Sequence, residues 1–112
     1  MVITNIIDNA INFIPNTQKG LISATAEHGV NYITVHIKDN GEGIHPEILP
    51  RLFTKFTTKW FYGSGLGLYT SQKIIFRHNG VLWAQNNPQN EKGATFSFRL
   101  PLIINNIKLK KI

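Results

Sequence analysis

Two asparagines one helical turn apart are the first residues in the chain whose types and spacing could form a binding site. Asn5 and Asn9 lie within residues 2–14, whose hydrophobic side chains recur with the period of an α-helix that ends before Pro15. An Asn side chain offers a carbonyl oxygen to a hard cation and an amide to a phosphate, and Mg²⁺ takes few protein ligands when phosphates supply the others. A solvated polar edge of the helix is the competing interpretation.

A second candidate is an acidic residue followed by two glycines. Asp39, Gly41 and Gly43 come directly after a stretch, residues 32–38, in which apolar and polar side chains alternate as in a β-strand. A carboxylate at a strand end can accept a hydrogen bond from a ligand's amine, and glycines let the backbone approach a flat ligand closely. A simple turn would use the same residues, so both interpretations remain open on this motif alone.

The third candidate is a glycine-rich segment that leads into a predicted helix over residues 66–78. Its members are Gly63, Ser64, Gly65, Leu66, Gly67 and Leu68. The free N–H groups and the dipole at a helix N-terminus favour phosphate. No Gly-Lys-Ser/Thr follows, which argues against a Walker loop. No strand precedes the segment, which argues against a dinucleotide-binding fingerprint.

These candidates are joined by elements that predict an α+β fold. Strands are expected at residues 21–26, 32–38, 81–86 and 95–100, helices at residues 2–14, 46–53 and 66–78, and a loop at residues 54–65. Pairs of strands separated by helices indicate a two-layer sandwich, with helices on one face of a mixed sheet.

Composition narrows the class of protein. With 112 residues and 42% hydrophobic side chains, the chain has enough apolar material for one domain with a core. The sequence contains no cysteine, so disulfides and thiolate metal sites are excluded. The net charge of +6 favours anionic partners, although three of the basic residues (Lys108, Lys110 and Lys111) lie near the end of the chain and nucleic acid is not expected. No apolar run reaches the roughly 18 residues of a membrane span, and a cytoplasmic location is expected.

Taken together and in order, the motifs resemble those of sensor histidine kinases. The N box is resembled by NIIDNA (residues 5–10) and the first glycine box by DNGEGI (39–44). The phenylalanine box is resembled by LFTKF (52–56), the second glycine box by GSGLGL (63–68), and the closing strand by GATFSFRLP (93–101). The resemblance implies a catalytic, ATP-binding domain over residues 1–101 and a basic tail over 102–112. It also implies the GHKL (Bergerat) fold shared with gyrase, Hsp90 and MutL.

The resemblance assigns a role to each candidate residue. Asn9 would hold Mg²⁺ with Asn5 beside it, and Asp39 would accept the adenine amino group. Phe53 and Phe56 would anchor the lid over the nucleotide to the core. The full set implied to contact ATP is Asn5, Asn9, Asn12, Phe13, Asp39, Gly41, Gly43, Lys59, Gly63, Ser64, Gly65, Leu66, Gly67 and Leu68.

The implied activity is transfer of the ATP γ-phosphate to a histidine on a separate dimerisation hairpin, in a pathway with a response regulator. None of the chain's histidines (His28, His36, His45 and His78) has the expected context of the acceptor. The strand that precedes the N box in the family is also missing. The chain is therefore expected to be an N-terminally truncated piece of a longer kinase, one that could be membrane-anchored, and a monomer by itself.

Two other functions remain open at this stage. Asn12 stands where the family often has a basic residue, which together with the short N-terminus fits a regulatory pseudokinase that binds nucleotide without transferring phosphate. An ATPase of the gyrase, Hsp90 or MutL type is the third possibility. The short glycine segment and the lack of a following transducer domain count against it.

Overall fold

The computed structural model describes residues 2–15, 19–54 and 67–102, except for the side chains of residues 12 and 13. In chain order the elements are helix α1 (Val2–Phe13), strand β1 (Ile22–His28), strand β2 (Tyr32–Asp39), a 3₁₀ turn (Leu49–Arg51), helix α2 (Gly67–Arg77), strand β3 (Val81–Asn86) and strand β4 (Ala94–Pro101). Each element predicted from the sequence is present, and its ends agree to within two residues except in the second predicted helix.

That second predicted helix, residues 46–53, is only partly correct. Three turn residues lead into a single 3₁₀ turn at Leu49–Arg51, with Pro50 in its first positions. Pro50 has no N–H to donate and disfavours the helical conformation of the residue before it, so a regular α-helix does not continue through this point.

The four strands form one sheet in the order β1-β2-β4-β3. Every pair is antiparallel, so the expectation of a mixed sheet is wrong within the part of the chain that the structure describes. The reason is the path of the chain. β3 does not pair with β2, and β4 returns between them as an antiparallel neighbour of both. The two-layer α+β class itself is confirmed.

Both helices contribute to a core on one face of the sheet. Three helix residues (Ile6 of α1, Leu68 and Ile75 of α2) pack against the alternate strand residues Ile37, Leu82, Phe96 and Phe98, and all seven are buried. The alternation of β2 places Ile37 and Asp39 on this helix-covered face, while His36 lies on the other. Asp39 is therefore at the point where β2 ends beneath the helices.

Helix α2 was predicted to end at residue 78, and it ends at Arg77, followed by Asn79 and Gly80, which close it. Asn79 has a positive φ of 62°, and the Gly80 N–H donates to the Ile75 carbonyl at 2.9 Å, closing the last turn. A Cβ on Gly80 would lie 2.3 Å from the Arg99 carbonyl oxygen, so only glycine allows this close approach to β4. Among the described helices, none has the length and apolar character needed to cross a bilayer.

Candidate nucleotide-binding site

The side chain of Asp39 is held in place by backbone groups from two segments. Its Oδ1 accepts hydrogen bonds from the N–H of Gly41 at 2.9 Å and of Ala94 at 3.2 Å. The residue is only 2% exposed, and its other oxygen, Oδ2, is buried without a hydrogen-bond partner. A buried, unpaired acceptor costs folding free energy, which is typical of a group whose partner is a ligand.

Burial also changes the protonation of this carboxyl. Desolvation raises the pKa of Asp39 above its ordinary value, and the hydrogen bonds from the Gly41 and Ala94 N–H groups lower it by less. Folded Asp39 therefore keeps its proton to a higher pH than Asp39 in the unfolded chain. Between those two pKa values the folded state binds more protons, so Asp39 makes the domain less stable as the pH rises through this window.

The glycine loop after Asp39 is clamped by Asn86, the last residue of β3. The Asn86 Oδ1 accepts the Ile44 N–H at 2.7 Å, and its Nδ2 donates to the Ile44 carbonyl at 2.9 Å. The side-chain amide thus pairs with the loop backbone as a neighbouring strand would. Gly43, with φ of +84°, passes so close that a Cβ there would lie 2.8 Å from the Asn86 Oδ1.

Asn87 makes a similar clamp on Asp39 itself. Its Nδ2 donates to the Asp39 carbonyl at 3.0 Å and to the Lys92 carbonyl at 2.8 Å, while its Oδ1 accepts the Thr95 hydroxyl at 2.7 Å. Gly93, with φ of +99°, lies against the same Asp39 backbone. This role of Asn87 was not predicted from the sequence. The available signal was two asparagines directly after a strand and a glycine directly before the next.

Asn5 connects the two helices. Its Nδ2 donates to the Gly67 carbonyl at 3.3 Å and to the Ser71 hydroxyl at 3.2 Å, and Ser71 is fully buried. The family resemblance implied that Asn5 lies near the phosphates of the nucleotide. The structure brings it to the first turn of α2, next to the glycine-rich segment. Asn9, one turn further along α1, has a buried Nδ2 without a hydrogen-bond partner.

These two environments predict different responses to the same substitution. Asn5→Ala removes two hydrogen bonds and leaves the buried Ser71 hydroxyl without one of its partners. We expect the free energy of unfolding to fall by about 1–3 kcal/mol. Asn9→Ala removes a buried donor that has no partner, so we expect a change within about 1 kcal/mol in either direction. Urea denaturation measures the free energy of unfolding of each variant. Both variants gain the same helix propensity from Asn to Ala, so that gain does not affect their difference. A larger loss for Asn9→Ala would contradict this description.

The remaining candidates fall into two groups. One group lies outside the part of the chain that the structure describes. Its members are Lys59, Gly63, Ser64, Gly65 and Leu66, together with Phe56 and the side chains of Asn12 and Phe13. Leu68 is 3% exposed within the core, so a contact from it to a ligand would have to involve its backbone. Phe53 packs edge-on against the buried Phe96 ring, with centroids 6.3 Å apart. This contact fits the predicted role of Phe53 as an anchor to the core.

Three of the four histidines have local partners rather than a place at this site. His36 lies on the helix-free face of the sheet, with Nδ1 2.6 Å from the Ser97 hydroxyl and Nε2 2.7 Å from a Glu27 carboxylate oxygen. His78 hydrogen-bonds the Ile74 carbonyl at 2.8 Å, and His45 accepts the Glu47 N–H at 3.2 Å. In residues 2–15, 19–54 and 67–102 no three His, Cys, Asp or Glu side chains cluster as metal ligands.

The fold matches that of a known family. The chain belongs to the family described as histidine kinase-, DNA gyrase B- and HSP90-like ATPases, whose model matches residues 1–104. This match confirms the family and the fold class that the sequence motifs indicated. Within the family, the proteins similar to this chain include sensor histidine kinases.

One similar curated protein is the sensor protein FixL of Bradyrhizobium diazoefficiens, 35% identical over 101 residues. The match covers 89% of this chain but only 20% of FixL. Among solved structures, the catalytic domain of histidine kinase ThkA superposes with a TM-score of 0.75 at 32% identity, covering 89% of this chain and 64% of that one. Full-length ShkA in complex with AMPPNP gives a TM-score of 0.75 at 25% identity, covering 89% of this chain and 20% of that one.

Proposed function

We propose that this domain binds ATP with Mg²⁺ and presents the γ-phosphate to a histidine on a helical hairpin outside residues 2–102. The observation that carries the proposal is the unpaired Oδ2 of Asp39, a buried acceptor at the base of a glycine loop. ShkA, at 25% identity, was solved with the ATP analogue AMPPNP, which supports an adenine nucleotide as the ligand.

Asp39 accounts for the choice of base. The exocyclic amine of adenine is a donor, and Oδ2 of an ionised Asp39 is an acceptor that lacks a partner. Guanine has a carbonyl oxygen at the corresponding ring position, which would meet the carboxylate as a second acceptor. A site with a buried polar group matched to one ligand rejects an analogue that cannot pair with it.

The asparagines of α1 fit the phosphate end of the nucleotide. The Nδ2 of Asn9 is buried without a hydrogen-bond partner, and Asn5 lies beside the first residue of α2. An amide oxygen from Asn9, with Asn5 nearby, is the donor set that we propose for Mg²⁺, which when bound neutralises charge on the phosphates. The N–H groups at the start of α2 and the segment containing Lys59, Gly63, Ser64 and Gly65 are proposed to contact the same phosphates.

The part of this chain in the reaction is positioning. The bond between the γ-phosphorus and the bridging oxygen breaks while the unprotonated nitrogen of the imidazole forms a bond to phosphorus with its lone pair. The other ring nitrogen then releases its proton to solvent, and ADP leaves. Asp39 fixes the base and α1 fixes the phosphates, so the γ-phosphoryl group has a defined direction of exit. A response regulator as the next acceptor, and a cytoplasmic location, are parts of the same proposal.

Transfer to a supplied acceptor tests the proposal. The full chain is incubated with γ-labelled ATP, Mg²⁺ and the separately expressed helical hairpins of several related sensor histidine kinases. We expect label on a hairpin histidine with wild-type chain, and a loss of at least about tenfold in labelling with Asn9→Ala. Nucleotide binding without transfer to any hairpin would instead favour a regulatory module. Steady ATP hydrolysis without an acceptor would favour a gyrase-type ATPase.

A further inference from the structure

Asn87 holds the backbone of Asp39 with a side chain whose nitrogen and oxygen both have partners. The nitrogen donates to the carbonyls of Asp39 at 3.0 Å and of Lys92 at 2.8 Å, and the oxygen accepts the Thr95 hydroxyl at 2.7 Å. Only the NH₂ end of the amide can donate to two carbonyls, so these partners fix which end faces Asp39. A rotation of the side chain would break all three bonds, and Asn87 is therefore a fixed point beside Asp39.

The backbone of Asn87 also positions a donor to the Asp39 carboxylate. The Asn87 N–H donates to the Gly93 carbonyl at 2.9 Å, which closes the turn between β3 and β4. The next residue, Ala94, donates its N–H to Oδ1 of Asp39 at 3.2 Å. Asn87 thus fixes Asp39 at its backbone and fixes one of the two donors that orient its carboxylate. The direction in which the unpaired Oδ2 points follows from both.

An ion pair also links this turn to β2, but solvent weakens it. The Lys38 Nζ lies 2.8 Å from a Glu91 carboxylate oxygen, and both side chains are 45% exposed. An ion pair in this setting contributes little, because water screens it and its long side chains remain free to move. The bond from Asn87 to the Asp39 carbonyl is partly buried and comes from a short, fixed side chain. Asn87 therefore controls the position of Asp39 relative to the turn.

We propose that Asn87 is a positioning residue for base recognition: by fixing Asp39 it sets the preference of the site for a purine with a 6-amino group, without touching the nucleotide. This role rests on the proposed function, in which Oδ2 of Asp39 accepts that amine. Hydrogen bonds weaken steeply when the donor and acceptor are misaligned or further apart than about 3.2 Å. A recognition group must therefore be held to within about 0.5 Å by the residues that support it. Loss of Asn87 should remove the part of the affinity that comes from the amine.

Two nucleotides that differ only in the amino group test the proposal on the full chain. ADP carries the group, purine riboside diphosphate has hydrogen in its place, and neither has a γ-phosphate to transfer. Calorimetric titration with Mg²⁺ measures both affinities. For the wild type we expect ADP to bind at least about tenfold more tightly, because a hydrogen bond to a charged group is lost in the other nucleotide. For Asn87→Ala this ratio should fall below about threefold. A merely structural role of Asn87 would lower both affinities by the same factor and leave the ratio unchanged.

A milder variant and a matched control accompany Asn87→Ala. Thr95→Val keeps a branched side chain in the strand and removes the hydroxyl that donates to Asn87, so the ratio should fall by about twofold or more. Ser97→Ala removes a hydroxyl two residues further along β4, where its partner is His36 on the helix-free face. Its ratio should equal that of the wild type. Circular dichroism checks that each variant is folded, and Thr95→Val decides the question if Asn87→Ala does not fold.

The other outcomes separate this role from the proposed function. A wild-type ratio in Asn87→Ala, or equal ratios in Thr95→Val and Ser97→Ala, would overturn the positioning role and leave the nucleotide site intact. Equal binding of the two nucleotides by the wild type would show that Asp39 does not accept the amine, which overturns the positioning role together with the explanation of base choice. Binding of neither nucleotide by a folded wild-type chain would overturn the proposed function itself, and the role of Asn87 with it.

Discussion

Asp39→Asn will abolish detectable ATP binding while leaving the nucleotide-free domain at least as stable as the wild type at neutral pH. An Asn at this position keeps the two hydrogen bonds from Gly41 and Ala94 only if its oxygen takes the place of Oδ1. Its NH₂ group then replaces the unpaired Oδ2 and faces the adenine amine as a second donor. Loss of the charged hydrogen bond alone is worth about 1.5–3 kcal/mol, or about 10–150-fold in affinity.

The stability half of this prediction follows from the pKa of Asp39. Because burial raises that pKa, the ionised carboxylate is a cost to the folded state at neutral pH, and Asn removes the buried charge. Between the ordinary and the raised pKa, wild-type stability should fall as pH rises, and the variant should lack this component. Thermal unfolding of both proteins across the acidic range measures the difference. A variant that is clearly less stable at pH 7, or that binds ATP normally, would contradict the assignment.

Gly93→Ala will be strongly destabilising and will also disrupt the site. A Cβ on Gly93 would lie 2.0 Å from the Asp39 carbonyl oxygen and 2.8 Å from its Oδ1, on a backbone whose φ is +99°. Strain of the positive φ and steric overlap each cost about 1–3 kcal/mol, so we expect a loss of about 2–5 kcal/mol in unfolding free energy. Relief of the overlap must move Asp39, so nucleotide affinity should fall as well.

Gly67→Ala is the matched control for stability. At the start of α2 a Cβ would meet Asn5 at an ordinary 3.5 Å, and alanine is the better helix former by up to about 1 kcal/mol. Urea denaturation of the two variants should therefore place Gly93→Ala well below the wild type and Gly67→Ala at or above it. Equal stability of the two variants would contradict the close approach of Gly93 to Asp39.

The sequence predicted the local elements well because their patterns are strong. The alternation in residues 32–38 and the Asn79–Gly80 helix end both reflect backbone geometry that few residue types satisfy. The pairing of the strands was harder to predict from the sequence. Whether the sheet is mixed or antiparallel depends on where β4 returns, between β2 and β3, and this placement is set by long-range packing of residues such as Phe96 rather than by a local signal.

The residues of the site also separate into those that were predicted from the sequence and those that were not. Asp39 and its glycines were predicted, because a carboxylate with glycines at a strand end is a readable motif. The clamps by Asn86 and Asn87 were not, since their partners lie more than 40 residues away in sequence. The hydrogen bonds of Asn5 to α2 illustrate the same limit: residue type indicated a polar contact, and only the fold identified Gly67 and Ser71 as its partners.

The measurement that tests the central claim most directly is calorimetric titration of the full chain with Mg²⁺ and a non-hydrolysable ATP analogue, beside the matching GTP analogue. We predict saturable binding of the ATP analogue and at least about tenfold weaker binding of the GTP analogue, because the buried Oδ2 of Asp39 requires a donor. Equal affinity for the two analogues, or no binding by a chain that circular dichroism shows to be folded, would contradict the claim that this domain forms an adenine-nucleotide site.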